Sequence, residues 1–546
     1  MTRLCTHISI ELGAPFLINR LATSNCDDNR APSRPSPNVL KGCTRIWDLA
    51  FPTLAIMHFR SSLALLLASF VFTSLQLGVN AAPRHYKRAA VSITLPVRCV
   101  HQTRDVHPLV SYQQHANHAI RRWARMTGRA MPSDAELAQR LYKRISSTEE
   151  DGRLAKRYNR MGVPSRKKHR VKLAPGEEFA GTKAQNLDAN TNDASDDKAN
   201  TVTHAKTPTT PDSLGLDIEA NDISYLAIVD IGTPPEKYSL IMDSGSADMW
   251  VGSENCVSEA GGGCGNHNFL GPQSSSSFVD TKQPFRVTYG TGNVAGTIVT
   301  DDLAFAGFSL RKHRFGVANQ ESVQFSDNSV PSDGLMGLAK STLSQQKNLT
   351  PVESLAKEGL ISEAVTSFKL SRLADGKNDG EITFGTLDTT KFDPKTLVTL
   401  DNVSKLGFWE AAMDDVTVDG QNAGLEGRTA ILDTGTTLIV APPADAIAAH
   451  KLIPGSKADG QGGFTIPCKT NASVILTFGG SEFAIDPRDI AFQPVDPRNP
   501  DGECISGIAS GIVGTATEWL LGAAFLKNAY LSTNVNKNQV SLAKLL

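Results

Sequence analysis

Ile241-Met242-Asp243-Ser244-Gly245-Ser246 recurs 190 residues later as Ile431-Leu432-Asp433-Thr434-Gly435-Thr436. Each copy is an apolar pair running into an Asp, a hydroxyl residue, a glycine and a second hydroxyl residue. One such tetrapeptide alone also fits an ordinary Asp-Gly turn. Two copies are harder to dismiss, because Leu335-Met336-Gly337 is itself echoed by Leu520-Leu521-Gly522 at the similar offset of 185. Two features repeating at nearly one spacing predict two similar lobes, placed at residues 207–390 and 391–546.

Around both copies, short strand-like runs alternate with turn residues. Ser224–Val229 and Tyr238–Met242 are split by Gly232-Thr233-Pro234-Pro235, and Ile298-Val299, Ile382–Phe384 and Val474–Phe478 are further runs. Only Val352–Lys357 and Ala444–His450 read as helices in this part of the chain. The expectation is a mostly β, bilobal fold, with one Asp loop from each lobe meeting at the lobe interface.

The chain has 546 residues, 40% of them hydrophobic, and a formal net charge of −1. This much apolar character excludes wholesale disorder, and the near-zero charge argues against a nucleic-acid-binding protein. The charge is nevertheless uneven: +3 over residues 1–81, +12 over 82–206 and −16 over 207–546. Arg60, the apolar run Leu63–Phe72 and the small-residue end Val79-Asn80-Ala81 have the layout of a secretory signal. The apolar run is short for a membrane span, and Gln76 interrupts its tail. Residues 57–81 are therefore expected to be a signal peptide starting at Met57, with residues 1–56 a gene-model extension. No apolar tail at the C-terminus suggests an anchor.

Residues 82–206 read as a basic propeptide and linker. Lys87-Arg88, Lys143-Arg144, Lys156-Arg157 and Arg166-Lys167-Lys168 are candidate processing sites; taken singly, such runs more often mark a solvated basic surface. Ala135–Tyr142 suggests a turn or two of helix, Asp188–Thr210 reads as linker, and the arm has too few large apolar residues for a core of its own.

Eight cysteines are present, four of them in the acidic body: Cys256, Cys264, Cys468 and Cys504. An even number behind a secretory leader points to disulfides. Three pairings are open, and Cys256–Cys264 with Cys468–Cys504 is favoured because each stays within one lobe. Cys99 has no obvious partner. Sequons at Asn348, Asn402 and Asn471 suggest glycosylation. His267, His313 and His450 pair with no nucleophile and are expected at the surface or in turns. No phosphate loop, metal-ligand pattern or serine-nucleophile motif is found, so neither metal nor cofactor is expected.

An Asp followed by a hydroxyl and a glycine is suited to chemistry. Glycine lets backbone N–H groups approach the carboxylate closely, and the hydroxyls can fix its orientation. Two facing carboxylates cannot both ionise easily, so they share a proton, and one acts as base while the other acts as acid.

With Asp243-Ser244-Gly245-Ser246 and Trp250, Val287-Thr288-Tyr289-Gly290-Thr291-Gly292, Asp333-Gly334-Leu335-Met336-Gly337 and Asp433-Thr434-Gly435-Thr436-Thr437 in this order, the body from about residue 210 to 546 resembles a pepsin-like aspartic endopeptidase. The resemblance implies that Asp243 and Asp433 are the catalytic pair and that Ser246 and Thr436 hydrogen-bond them. It implies that Ser244 and Thr434 brace the Gly245 and Gly435 loops against each other. Tyr289, Gly290 and Thr291 would form a mobile flap, with Trp250 holding the Tyr289 hydroxyl and Leu335 lining the pocket beside the cut bond. Ala523 and Asn534 stand where the family commonly has Asp, and Thr291 argues against strong acceptance of Lys beside that bond.

The expected protein is thus a monomeric secreted zymogen, extracellular or vacuolar. It would cut protein or peptide substrates at acid pH, with large apolar residues favoured around the cut. Its own basic arm would inhibit it, with Arg153–Lys172 the candidate for the segment that blocks the pair. Nucleic acid is not an expected partner, nor is a membrane once the signal is removed. A catalytically dead binding protein on the same fold is the rival, but such a protein would be expected to have lost an Asp or Tyr289.

Overall fold

Glu236–Asp243 becomes a strand because its alternating apolar residues reach a buried sheet position, and Asp243 is its last residue. The computed structural model describes residues 107–147 and 202–546, except 209, 291, 329 and 512–516. The signal region, Cys99, Arg153–Lys172, Thr291 and all the basic runs but Lys143-Arg144 lie outside the described residues.

The body is mostly β. Ten strands form one sheet, in which Gly334–Gly337 runs parallel to Glu236–Asp243, with Gly337 opposite Asp243. Gly334–Gly337 also runs antiparallel to Met249–Ser258, with Leu335 opposite Trp250. The second half repeats the device. Glu518–Leu521 runs parallel to Arg428–Leu432 and antiparallel to Ile439–Ala441. The two sequence echoes are therefore one structural unit built twice: an Asp-bearing strand with a Leu-x-Gly strand inserted beside it. The insertion is hydrogen-bonded alike in both halves, since Ala339 N–H donates to Ser246 O and Ala523 N–H to Thr436 O, each at 2.8 Å.

A six-stranded sheet joins strands from both halves, including Ser213–Gly215, Val365–Lys369 and Tyr530–Asn534. Val202–Thr203, just before the compositional seam at 206, already pairs with Asp217–Glu219. The helical readings hold, with bounds Pro351–Lys357 and Pro443–Leu452. The first starts at Thr350, whose side chain and that of Glu353 cap each other's backbone N–H groups. Among the described residues, no helix is long and apolar enough to cross a membrane.

Disulfides join Cys256 to Cys264 and Cys468 to Cys504. Three expectations need correction. His313 and His450 are buried, not at the surface or in turns. His313 stacks on Phe315 in mid-strand, while His450 stacks on Phe464 and bonds Ala446 O and Ser506 Oγ. Asn348 and Asn402 are also buried, with amides bonded to Gln346 and Asn538, so neither presents a free amide for a glycan. Asn471 is exposed.

The third correction concerns the arm. Far from one or two helical turns, it has two helices, α1 (Pro108–Met126) and α2 (Asp134–Ser147). Pro108 stands at the first turn of α1, and the His107 ring accepts from Leu109 N–H at 3.2 Å. The arm lacks a core of its own because it borrows one. Leu109, Tyr112, Ala116, Ala119, Ile120, Trp123 and Met126, at three- and four-residue spacing, pack on Phe408, Ile431, Leu438, Val440, Ile505 and Leu520 of the body.

Candidate active site

Asp243 ends its strand, Asp433 directly follows the equivalent strand Arg428–Leu432, and both are fully buried. Their loops are locked by a reciprocal set of bonds. Ser244 N–H donates to Thr434 Oγ1 and Thr434 N–H to Ser244 Oγ, each at 2.9 Å. The hydroxyls donate onward across the divide, Ser244 Oγ to Leu432 O at 3.0 Å and Thr434 Oγ1 to Met242 O at 2.7 Å. Four buried bonds thus fix the relative position of the two carboxylates, with every hydroxyl satisfied.

Each carboxylate then receives the same two donors. Gly245 N–H reaches Asp243 Oδ1 at 2.9 Å, and Ser246 Oγ bonds Oδ2. Gly435 N–H reaches Asp433 Oδ1 at 3.0 Å, and Thr436 Oγ bonds Oδ2 at 2.6 Å. Glycine is needed at both loops for space: a Cβ on Gly245 would strike the Asp433 carboxylate, and one on Gly435 would strike that of Asp243.

Tyr289 lines a cavity together with Asp243 and Gly435, and its hydroxyl accepts from Trp250 Nε1 at 2.8 Å. Trp250, Tyr289 and Phe325 form an edge-on aromatic cluster, with Leu335 and Ile241 beside them. Trp250 is thus a core residue that also holds the Tyr289 hydroxyl. Gly290 touches α1 so closely that a Cβ there would lie 2.5 Å from His118 O.

The residue that the sequence reading missed is Arg122. Its buried guanidinium bonds the Asp243 carboxylate, lies 2.8 Å from Asp433 Oδ1, and pairs through Nε with Asp433 Oδ2. Among the described residues, an arginine of α1 therefore sits on the pair; Arg153–Lys172 lies outside them. The apolar stripe of α1 was the available signal, since it puts Arg122 beside Trp123, whose indole donates to Glu518 O at 3.0 Å. Arg125 bonds Thr288 O next to Tyr289, and Arg129 pairs with Glu518 at 2.9 Å. Arg144, from one of the basic pairs, is buried against Asp459 and lies over the Tyr112 ring. In this state it is closed to a processing protease.

The electrostatics follow from burial and contact. Desolvation drives both carboxyls up, while Arg122 opposes it. For Asp243, the cation together with the Ser246 and Gly245 donors wins, and its pKa falls below the ordinary range. For Asp433, burial and the neighbouring Asp243 charge win, and it is pushed up to about 6. Burial disfavours the Arg122 charge, but the two carboxylates more than offset this.

Residues 224–545 match the family described as eukaryotic aspartyl protease. A probable aspartic-type endopeptidase of Arthroderma benhamiae is 38% identical over 341 residues, which are 62% of this chain and 64% of that protein. The match therefore spans under two thirds of that relative. The aspartic-type endopeptidase of Aspergillus fumigatus is 34% identical, over 63% of this chain and 70% of its own. Pepsin-2B of Gadus morhua is 30% identical, over 59% of this chain and 96% of its own. The chain belongs to the eukaryotic aspartyl protease family.

Proposed function

We propose that this protein is an aspartic endopeptidase made as a zymogen, with Asp243 and Asp433 as the catalytic pair. The observation that carries the reading is that two buried carboxylates, each with its own glycine N–H and hydroxyl donor, converge on one cation supplied by the arm. With α1 gone, a water takes the place of the Arg122 guanidinium. The ionised carboxyl removes a proton from that water as it attacks the peptide carbonyl. The protonated carboxyl donates to the developing oxyanion, and the leaving amine then takes up a proton. With the cation gone, the two buried carboxylates repel each other and hold one proton between them, which supplies one base and one acid.

Closure of Tyr289 and Gly290 over an extended peptide excludes bulk water. Leu335, Ile241 and Phe325 on one side, and Ile431 and Leu520 on the other, favour large apolar residues around the cut. The arm inhibits by occupying this cleft, and acid releases it. A secretory route to the exterior or a vacuole suits the leader and the disulfides, and a monomer suffices because both carboxylates come from one chain. The test is cleavage of an unfolded protein after acid treatment, with and without a statine-type inhibitor. Cleavage at acid pH that the inhibitor stops is expected; no cleavage, or cleavage indifferent to the inhibitor, would overturn the reading.

A further inference from the structure

Glu518 begins the strand that ends at Leu521, whose carbonyl accepts from Asp433 N–H. Three residues of strand place it about 10 Å from the Asp433 backbone. Its register partner is Thr429, whose hydroxyl donates to Glu410 Oε1 at 2.6 Å. Glu410 is driven up by burial, and the Glu518 charge adds to the effect, so the two carboxylates sense each other. Together they make a negative shelf on a wall whose other groups, Ile431 and Leu520, are apolar.

A guanidinium already sits there. Arg129 Nη2 bonds Glu518 Oε2 at 2.9 Å, and the Arg129 guanidinium lies 5.5 Å from the centre of the Trp123 ring. Both residues belong to the arm, which must leave before substrate enters. Glu518 then keeps the Thr517 N–H donor and the neighbouring Glu410, but loses its cation.

We infer that Glu518, backed by Glu410, is a specificity-determining seat for an Arg or Lys side chain of the substrate. That side chain belongs to a residue about two to four places from the cut bond, given some 3.3 Å per extended residue. The inference rests on the endopeptidase reading. The arm occupies this seat with Arg129 as the substrate later does with its own cation. The apolar preference next to the bond is untouched, because Glu518 lies beyond the residues that flank the pair.

The test uses acid-activated enzyme and paired peptides that differ only by Arg or Gln, scanned over four positions on each side of one cut. At one position, kcat/KM for the Arg peptide should exceed that for the Gln peptide about five- to tenfold, as for a partly buried ion pair. The ratio should fall toward one as salt is raised, a readout that needs no variant. Glu518→Gln should bring the ratio near one, and Glu518→Arg should invert it. A ratio near one at every position in the native sequence, or an Arg preference that survives Glu518→Gln, would overturn the inference. Failure to cut any peptide would instead overturn the endopeptidase reading beneath it.

Discussion

Replacing His115 and His118 together by Gln should make the arm harder to dislodge with acid. Both lie on α1, within the cleft. Burial drives His115 from its ordinary 6.5 down to about 4, and drives His118 to about 3, with the Arg122 charge adding to the second shift. Above about pH 6.5, both are neutral whether the arm is seated or free, and they do not affect the balance. As pH falls below that, the free arm binds protons that the seated arm refuses. Seating therefore weakens by up to about 1.4 kcal/mol per pH unit for each histidine. By about pH 4 the pair accounts for a few kcal/mol, which is a large part of what holds a short helical segment in place.

The dyad contributes with the same sign, because the Arg122 charge lowers both Asp243 and Asp433 while the arm is seated, and protonating either in acid forfeits that attraction. The histidines add to this slope. Onset of cleavage during an acid titration, with Trp fluorescence to follow exposure of Trp123, is the assay. The double variant should move the onset down by about one pH unit. An unchanged onset, or one displaced upward, would refute the reasoning.

Arg122→Ala leaves two buried carboxylates without their cation and should weaken seating by about 3–5 kcal/mol; onset of activity at less acidic pH checks it. Trypsin cleavage between residues 148 and 201 at neutral pH should leave the protein inactive, because α1 and α2 are held by Trp123, Arg122 and Arg144 independently of that stretch; co-elution of the two fragments is the measurement. Ser244→Ala strips Leu432 O of a donor and Thr434 N–H of an acceptor, both buried, and should lower stability by about 2–3 kcal/mol in denaturant unfolding.

The doubled Asp motif carried the fold because the constraint it reports is local. A buried Asp at a strand end needs its own hydroxyl and glycine, and these are consecutive in the chain. Strands such as Val474–Phe478 were legible for a similar reason, since their apolar alternation is the register of a half-buried sheet. What failed was long-range. The stripe of α1 has clear helical spacing, but its +12 surroundings and polar composition disguised a segment whose core lies on the body. Asn348 and Asn402 matched a three-residue pattern that says nothing about burial, which the turns around Gln346 and Asn538 decide. His450 reads as polar, yet Ser506 and the Ala446 carbonyl satisfy both of its nitrogens inside the core.

Charge asymmetry was visible but underspecified. It pointed to attraction between a basic arm and an acidic body, and the structure resolves this into individual seats: Arg122 on the pair, Arg129 on Glu518 and Arg144 on Asp459. Which arginine sits where depends on the turn of α1 and its loop to α2, which net charge cannot encode.

The central claim is that Asp243 and Asp433 together hydrolyse peptide bonds. Asp433→Asn, compared with the native sequence after acid treatment and removal of the arm by an added protease, tests it most directly. Cleavage of an unfolded protein should fall by about a thousandfold or more, while near-UV circular dichroism stays unchanged because Asn keeps the shape: its oxygen can still accept from Gly435 N–H, and its NH2 can donate to the Thr436 hydroxyl, which turns to accept. Cleavage retained at near-native rate in a folded Asp433→Asn protein would contradict the account.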